Sequence, residues 1–234
     1  MRKISIITIL LVFTLLIGYC VRIGRDTAKS FINDTDLYQY LKHDLKTTYC
    51  DMGYDKDSNA GFVDGDKLKS IQGLEKRSII LEGHLKIHAK REIYYECVLS
   101  TFIIDKIYGN HSGLKEGDSI LFFEPVDCRQ KEIDCTDGYN LMHSGAEYII
   151  FAKRLKNAGY GNAKQKYIYA PISTTYGKFQ DDDSIPRFFN KSEIENINTA
   201  IDYKKVCKEE VFLCDKTKYT KYCRLKKQAR TLFH

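Results

Sequence analysis

The densest run of side chains able to do chemistry is Asp55-Lys-Asp57-Ser-Asn59-Ala-Gly-Phe62-Val-Asp64-Gly-Asp66. Asp55, Asp57, Asn59 and Asp66 fall at the first, third, fifth and twelfth places of a twelve-residue loop, with apolar Phe62 at the eighth. Calcium takes six or more hard oxygen ligands, and this spacing could converge them in one short turn. Two features oppose that. The sixth place holds Ala60, where glycine usually makes the sharp turn, and a Cβ disfavours that left-handed backbone. Asp66 is shorter than the glutamate common at the twelfth place, and no second loop pairs with it. The segment reads first as an acidic solvated loop and second as a calcium site, with calcium the one candidate cofactor.

His84 and His88 would share a face, and could clasp zinc, if they stood on a helix. The stretch around them alternates strictly, with Leu81, Leu85, Ile87 and Ala89 on one side and His84, Lys86, His88 and Lys90 on the other. On such a strand they stand about 13 Å apart, too far for one ion. They read as surface histidines.

Cysteines offer the remaining reactive groups. Of the eight, all but Cys20 lie beyond the N-terminal apolar segment, so seven share the body of the chain. Outside a cytoplasm these are disulfide candidates, and Cys128 with Cys135, bracketing a short polar loop, form the favoured local bridge. Unpaired cysteines buried as small hydrophobes are an equal alternative. An odd number leaves at least one thiol free or paired elsewhere, which keeps a thiol-exchange activity open. The Cys128/Cys135 and Cys207/Cys214 spacings do not suit a zinc knuckle. No P-loop, GxSxG, HExxH or dinucleotide fingerprint occurs, so no residue is assigned a catalytic role and nothing argues for an enzyme.

The elements that must position these groups begin with Ile4 to Val21, an uncharged apolar run between Arg2-Lys3 and Arg22. It is just long enough to span a hydrocarbon core, which takes roughly 17–25 apolar residues. A good cleavage or lipidation site is missing, which favours an uncleaved signal anchor with the N-terminus inside; a cleaved signal would make the protein secreted. Either way the body is expected outside the cytoplasm. Residues 26–78 read as a helical lead-in with the acidic loop: Asp36 to Tyr49 has Leu37, Tyr40, Leu41 and Leu45 at helical spacing behind Asp34 or Thr35 as cap, and a second short helix falls near Lys67 to Leu74.

Residues 79–179 read as β. The expected strands are the alternating stretch ending near Lys90, a long strand from Ile93 to Tyr108 with a bend at Ser100-Thr101, Ser119 to Glu124 ended by Pro125, Ala146 to Leu155, and Lys166 to Ile172. Five strands with the long curved ones first imply a small closed barrel. The fold class is therefore mainly β with flanking helices, an OB-like barrel between an N-terminal helical lead-in and a C-terminal helix. In 180–234, Ser192-Glu-Ile-Glu195 is a capping-box pattern with Ile194, Ile197 and Ile201 following at helical spacing. Asp181-Asp-Asp183 reads as a solvated loop. From Lys204 to Arg230 the chain carries a net +7, against +6 for the whole, so the basic character belongs to the tail.

The series GHLKIHAKREIYYECVLSTFIIDKIYG, LKEGDSILFFEP, SGAEYIIFAKRL and YIYAPISTTYGKF resembles exported OB-fold proteins of the netrin-like and tissue-inhibitor-of-metalloproteinases kind. The resemblance covers residues 79–179 and implies a five-stranded barrel. It does not carry protease inhibition, because those inhibitors begin with a cysteine whose free amine meets zinc, and nothing comparable is exposed here. The function expected is a membrane-tethered extracytoplasmic module that binds a protein or an anionic envelope component through the barrel surface or basic tail. An extracytoplasmic enzyme or thiol-exchange protein and a calcium-dependent adhesion protein are the alternatives. Nucleic acid is not an expected partner, although Tyr94, Tyr148, Tyr167 and Tyr169 could stack on bases. Asn33, Asn110 and Asn190 begin glycosylation sequons.

Overall fold

The computed structural model describes residues 37–50, 65, 67–94, 97–109, 113–129, 131–155, 168–194 and 200–233. The apolar run Ile4 to Val21, the loop residues Asp55, Asp57, Asn59 and Asp66, and the helix caps Asp34 and Thr35 lie outside them. Among the described residues no helix is long and apolar enough to cross a membrane.

Five strands close a barrel. They are β2 (Ile79–Leu85), β4 (Cys97–Tyr108), β5 (Ser119–Glu124), β8 (Glu147–Arg154) and β9 (Ile168–Pro171). β2 pairs antiparallel with β4 and β8, β4 with β5, and β8 with β9; β5 and β9 run parallel and complete the ring. This is the expected OB-like barrel. Two short strands extend it: β3 (Glu92–Tyr94) folds back on β4, and β10 (Lys178–Gln180) pairs with the first half of β8. The long strand expected from Ile93 is thus a hairpin followed by a strand. The irregularity lies between β2 and β4, where Asp105 is skipped between the Gly83–Ile104 and Glu82–Lys106 pairs.

Beside the barrel stands a second sheet that the sequence pattern does not announce. Its order is β11 (Ile201–Asp202), β1 (Lys46–Cys50), β7 (Glu132–Thr136) and β6 (Val126–Cys128). The helix expected through Tyr49 is a single turn, α1 (Leu37–Tyr40), because the β-branched and aromatic run Thr47-Thr48-Tyr49 pairs parallel to β7 instead. Leu37 and Tyr40 still face inward at the predicted spacing. The second helix, α2, is Gln72–Glu75. Near Ser192 the described helix is α3 (Lys191–Ile194), with Glu193 accepting from the Asn190 N–H at 2.8 Å, so the cap sits two residues earlier than expected. Ile201 belongs to β11 and pairs with Thr47.

The last helix, α4 (Lys216–Phe233), is the expected basic one. The Asp215 carboxylate accepts from the Thr217 and Lys218 N–H groups at 2.7 and 2.9 Å and caps it. Those hydrogen bonds, Lys218 first, hold the Asp215 carboxyl below its ordinary range. Tyr222, Leu225 and Ala229 form the buried stripe of α4 and pack with Leu74, Ile80, Ile149, Phe151 and Phe179. β2 is consequently covered on both faces: Leu81 and Leu85 point into the barrel core, and Ile80 points to α4.

Candidate functional site

The sequence candidates are dispersed. His84 stands on β2 with Nδ1 2.7 Å from Asp105, but His88 lies in the turn that follows, at φ 61°, so the two do not share a strand. Among the described residues no cluster of three or more His, Cys, Asp or Glu could hold a metal.

The Cys128–Cys135 bridge is corrected to two free, buried thiols. Both lie on the β6–β7 pair, but Cys128 faces Ile133 and Cys135 faces Val126. That diagonal places Cα atoms roughly 7–8 Å apart, beyond the usual disulfide span. Burial pushes the Cys135 thiol up to about 12, against a hydrogen bond shared with the Thr47 hydroxyl, and burial raises Cys128 as well. Neither is a thiolate near neutral pH, which removes them as exchange nucleophiles. Of the rings that could stack on bases, Tyr148 and Tyr169 are buried in the core, while Tyr167 lies outside the described residues.

Two polar clusters that sequence reasoning missed lie in the interior. In the first, Arg91 and Glu124 form an ion pair that is 5% and 0% exposed. Arg91 Nε donates to Ser100 at 2.8 Å and its Nη1 to the Met142 carbonyl at 3.0 Å, while the Met142 N–H donates to Glu124 at 2.7 Å. Burial opposes the Arg91 charge, yet the Glu124 carboxylate prevails and raises its pKa. Nearby, Lys178 Nζ donates to the Asn140 carbonyl at 2.5 Å and sits 4.0 Å from the centre of the Tyr139 ring. Burial lowers Lys178 to about 8 despite Glu124 and Glu210. The Tyr139 hydroxyl and His143 Nε2 have no hydrogen-bond partner among the described residues, and burial holds His143 below its ordinary pKa.

The second cluster joins α4 to the barrel. Lys226 contacts Glu210 at 2.7 Å and Asp182 at 2.9 Å; Glu210 accepts from the Tyr222 hydroxyl at 2.6 Å and from the Gln180 N–H. Arg230 reaches Asp181 at 3.1 Å and also Asp183. The Asp181–Asp183 run is therefore the acceptor for the tail and not a free solvated loop.

The first cluster has a chemically rich inventory, an amine of lowered pKa with phenols and carboxylates, but the wrong exposure. Lys178 is 2% exposed, Tyr139 1% and Glu124 0%, so a dissolved substrate does not meet them. Their work is to satisfy buried charge and tie segments together.

An open cleft of about 540 Å³ lies at one end of the barrel, where Lys76, Arg77, Lys153, Arg154, Tyr108 and Phe233 line it. Strand register builds it. Ile79 pairs with Ala152, so Arg77 just before β2 and Lys153-Arg154 ending β8 are driven to the same end by antiparallel pairing. The turn at the end of α2 holds the first pair in place: the Arg77 N–H donates to the Leu74 carbonyl at 3.1 Å and the Ser78 hydroxyl to the same carbonyl at 2.7 Å. Phe233 closes one wall, with its ring 4.7 Å from that of Tyr108, whose hydroxyl lies 2.7 Å from the Phe233 carbonyl. Burial, then the Glu82 carboxylate, pushes the Tyr108 phenol up to about 12, so it remains a neutral donor. Among the described residues Glu75 is the one carboxylate in the lining. Lys76, Arg77, Lys153 and Arg154 thus lie along one concave surface.

Comparison with known proteins found no family model and no curated protein that matches the chain.

Proposed function

We propose that this chain is a single-pass, membrane-tethered module whose barrel stands outside the cytoplasm and binds a protein or an anionic envelope component without transforming it. The observation that carries this reading is where the charged groups stand. Those with the strongest burial are sealed in the core, whereas the open cleft at the barrel end gathers cations beside an aromatic wall. That is an arrangement for recognition and not for turnover. The apolar run Ile4 to Val21 supplies the tether, and the resemblance of residues 79–179 to exported netrin-like barrels points the same way.

The tail contributes less free charge than its +7 suggests, because Lys226 and Arg230 are engaged with Glu210 and Asp181 to Asp183. The barrel-end cleft is therefore a better seat for an anion than the inner face of α4. Chemical cross-linking on intact cells that produce the full chain tests the proposal. It should trap one defined partner, protein or polymer, that increases with expression of the chain. A clean negative from both the full chain and a chain lacking α4 contradicts it.

A further inference from the structure

We infer that Asn190 is a modification site that carries an N-linked oligosaccharide. The inference rests on the tethered-module reading above, because the acceptor must stand on the extracytoplasmic side to receive the sugar.

Asn190-Lys191-Ser192 has the N-x-Ser pattern, with no proline at the middle place. Short patterns of this kind recur by chance, so placement in the fold decides. The other two acceptors, Asn33 and Asn110, lie outside the described residues.

The core sets the direction of the Asn190 side chain. Phe189 is fully buried, with its ring stacked 4.9 Å from that of Phe212 and its N–H donating to the Leu213 carbonyl at 3.1 Å. That anchor turns the following side chains outward, and Asn190, Lys191 and Ser192 are all exposed. The chain then enters α3, where an asparagine side chain commonly accepts a hydrogen bond from a first-turn N–H as cap. Here the main chain of Asn190 takes that role. Its carbonyl accepts from the Glu193 N–H at 2.9 Å, and its own N–H donates to the Glu193 carboxylate at 2.8 Å. The Asn190 carboxamide has no hydrogen-bond partner among the described residues, and neither has the Ser192 hydroxyl. A glycan is bulky and solubilising, and a buried or bonded asparagine could not hold one. At Asn190 the sugar meets solvent and breaks no bond of the cap.

The donor class is a polyprenyl-diphosphate-linked oligosaccharide. The Asn190 Nδ2 attacks C1 of its first sugar, and a C–N bond forms as the C1–O bond to the diphosphate breaks. The polyprenyl diphosphate leaves with the bonding pair, the amide releases one proton, and nothing is oxidised or reduced. A glycan here closes the face around α3 to a docking protein, so the module meets its partner on another part of its surface.

The test uses the full chain, isolated in detergent from the cells that naturally make it. Digestion with peptide-N-glycosidase in heavy-oxygen water, followed by peptide mapping, should convert Asn190 to a labelled aspartate. Asn190→Gln and Ser192→Ala should each reduce the mobility shift that the digestion causes, whereas Ser192→Thr, which keeps the hydroxyl, should preserve it. Thermal melting of the enzymatically deglycosylated variants should match that of deglycosylated wild type, since the cap is made by the main chain. Recovery of Asn190 unlabelled, or label that persists at Asn190 in Ser192→Ala, overturns the proposal. Biotinylation of intact cells with a membrane-impermeant reagent separates the two readings. A body that is biotinylated while Asn190 stays unlabelled removes the glycan and leaves the tethered module standing. A body that the reagent does not reach, with Asn190 unlabelled, overturns both.

Discussion

Ser119 to Glu124 alternates, and its inward face reads Ile120, Phe122, Glu124. A carboxylate at that place must either break the pattern or find a buried cation, and it finds Arg91. The identity of the partner was hidden, because Arg91 precedes a hairpin whose return is not visible in the alternation. Gly83 is the opposite case. Its need for glycine is spatial: a Cβ there would collide with the Ile103 carbonyl oxygen at the slipped register, and no local pattern announces that approach. Lys178 gave no signal either, since neighbouring Phe179 is buried too and periodicity is lost in so short a strand. Glu124→Gln strands the Arg91 charge and should destabilise by about 3–5 kcal/mol in urea unfolding, whereas Arg91→Met combined with Glu124→Leu should cost less than that single change. Lys178 predicts a pH effect. Its folded pKa is about 8, below the ordinary 10.5, so above pH 8 the unfolded chain holds more protons and stability rises with pH. The slope is at most ~1.4 kcal/mol per pH unit. Beyond about pH 9 the buried thiols and phenols, whose pKa values are raised, oppose it. Wild-type melting temperature should therefore climb between pH 7.5 and 9, and Lys178→Met should flatten that climb.

Among the elements, α4 was legible and β1 was not, for one physical reason. A helix announces itself by contacts within its own sequence, and Tyr222, Leu225 and Ala229 repeat at its period. β1 is defined by pairing with β7, more than eighty residues away, so the Leu37, Tyr40, Leu41 and Leu45 spacing just ahead of it suggested a helix running on, where the helix ends after one turn. What α4 holds was also unreadable, because the acidic run that receives its cations lies over forty residues upstream. The contacts it makes are unequal. Lys226 and Glu210 are 6% and 3% exposed, while Asp183 is 96% exposed. Lys226→Met leaves the Glu210 carboxylate without its cation and should cost about 3–5 kcal/mol. Asp183→Asn removes only a solvated pairing and should change stability by less than about 1 kcal/mol. Chemical denaturation of the two variants side by side checks the ranking. If Asp183→Asn is the more damaging, α4 is held by its outer charges and the buried cluster is incidental.

At the scale of the molecule, the barrel followed from alternation, turn residues and strand length, and the closure through parallel β5 and β9 agrees with the fold class expected. The second sheet, which packs on the barrel through Ile133, Cys128 and Cys135, could not be read, since its strands come from separate stretches of the chain. The cleft was unreadable for a related reason: Lys76-Arg77 and Lys153-Arg154 look like ordinary surface dipeptides until pairing brings them together. Its meaning depends on which side of a membrane the barrel stands. An epitope placed after His234 and probed with antibody on intact and on permeabilised cells measures this directly. Staining of intact cells at the level seen after permeabilisation is the result predicted. Staining that appears only after permeabilisation would put the body in the cytoplasm and contradict the tethered, outward-facing module.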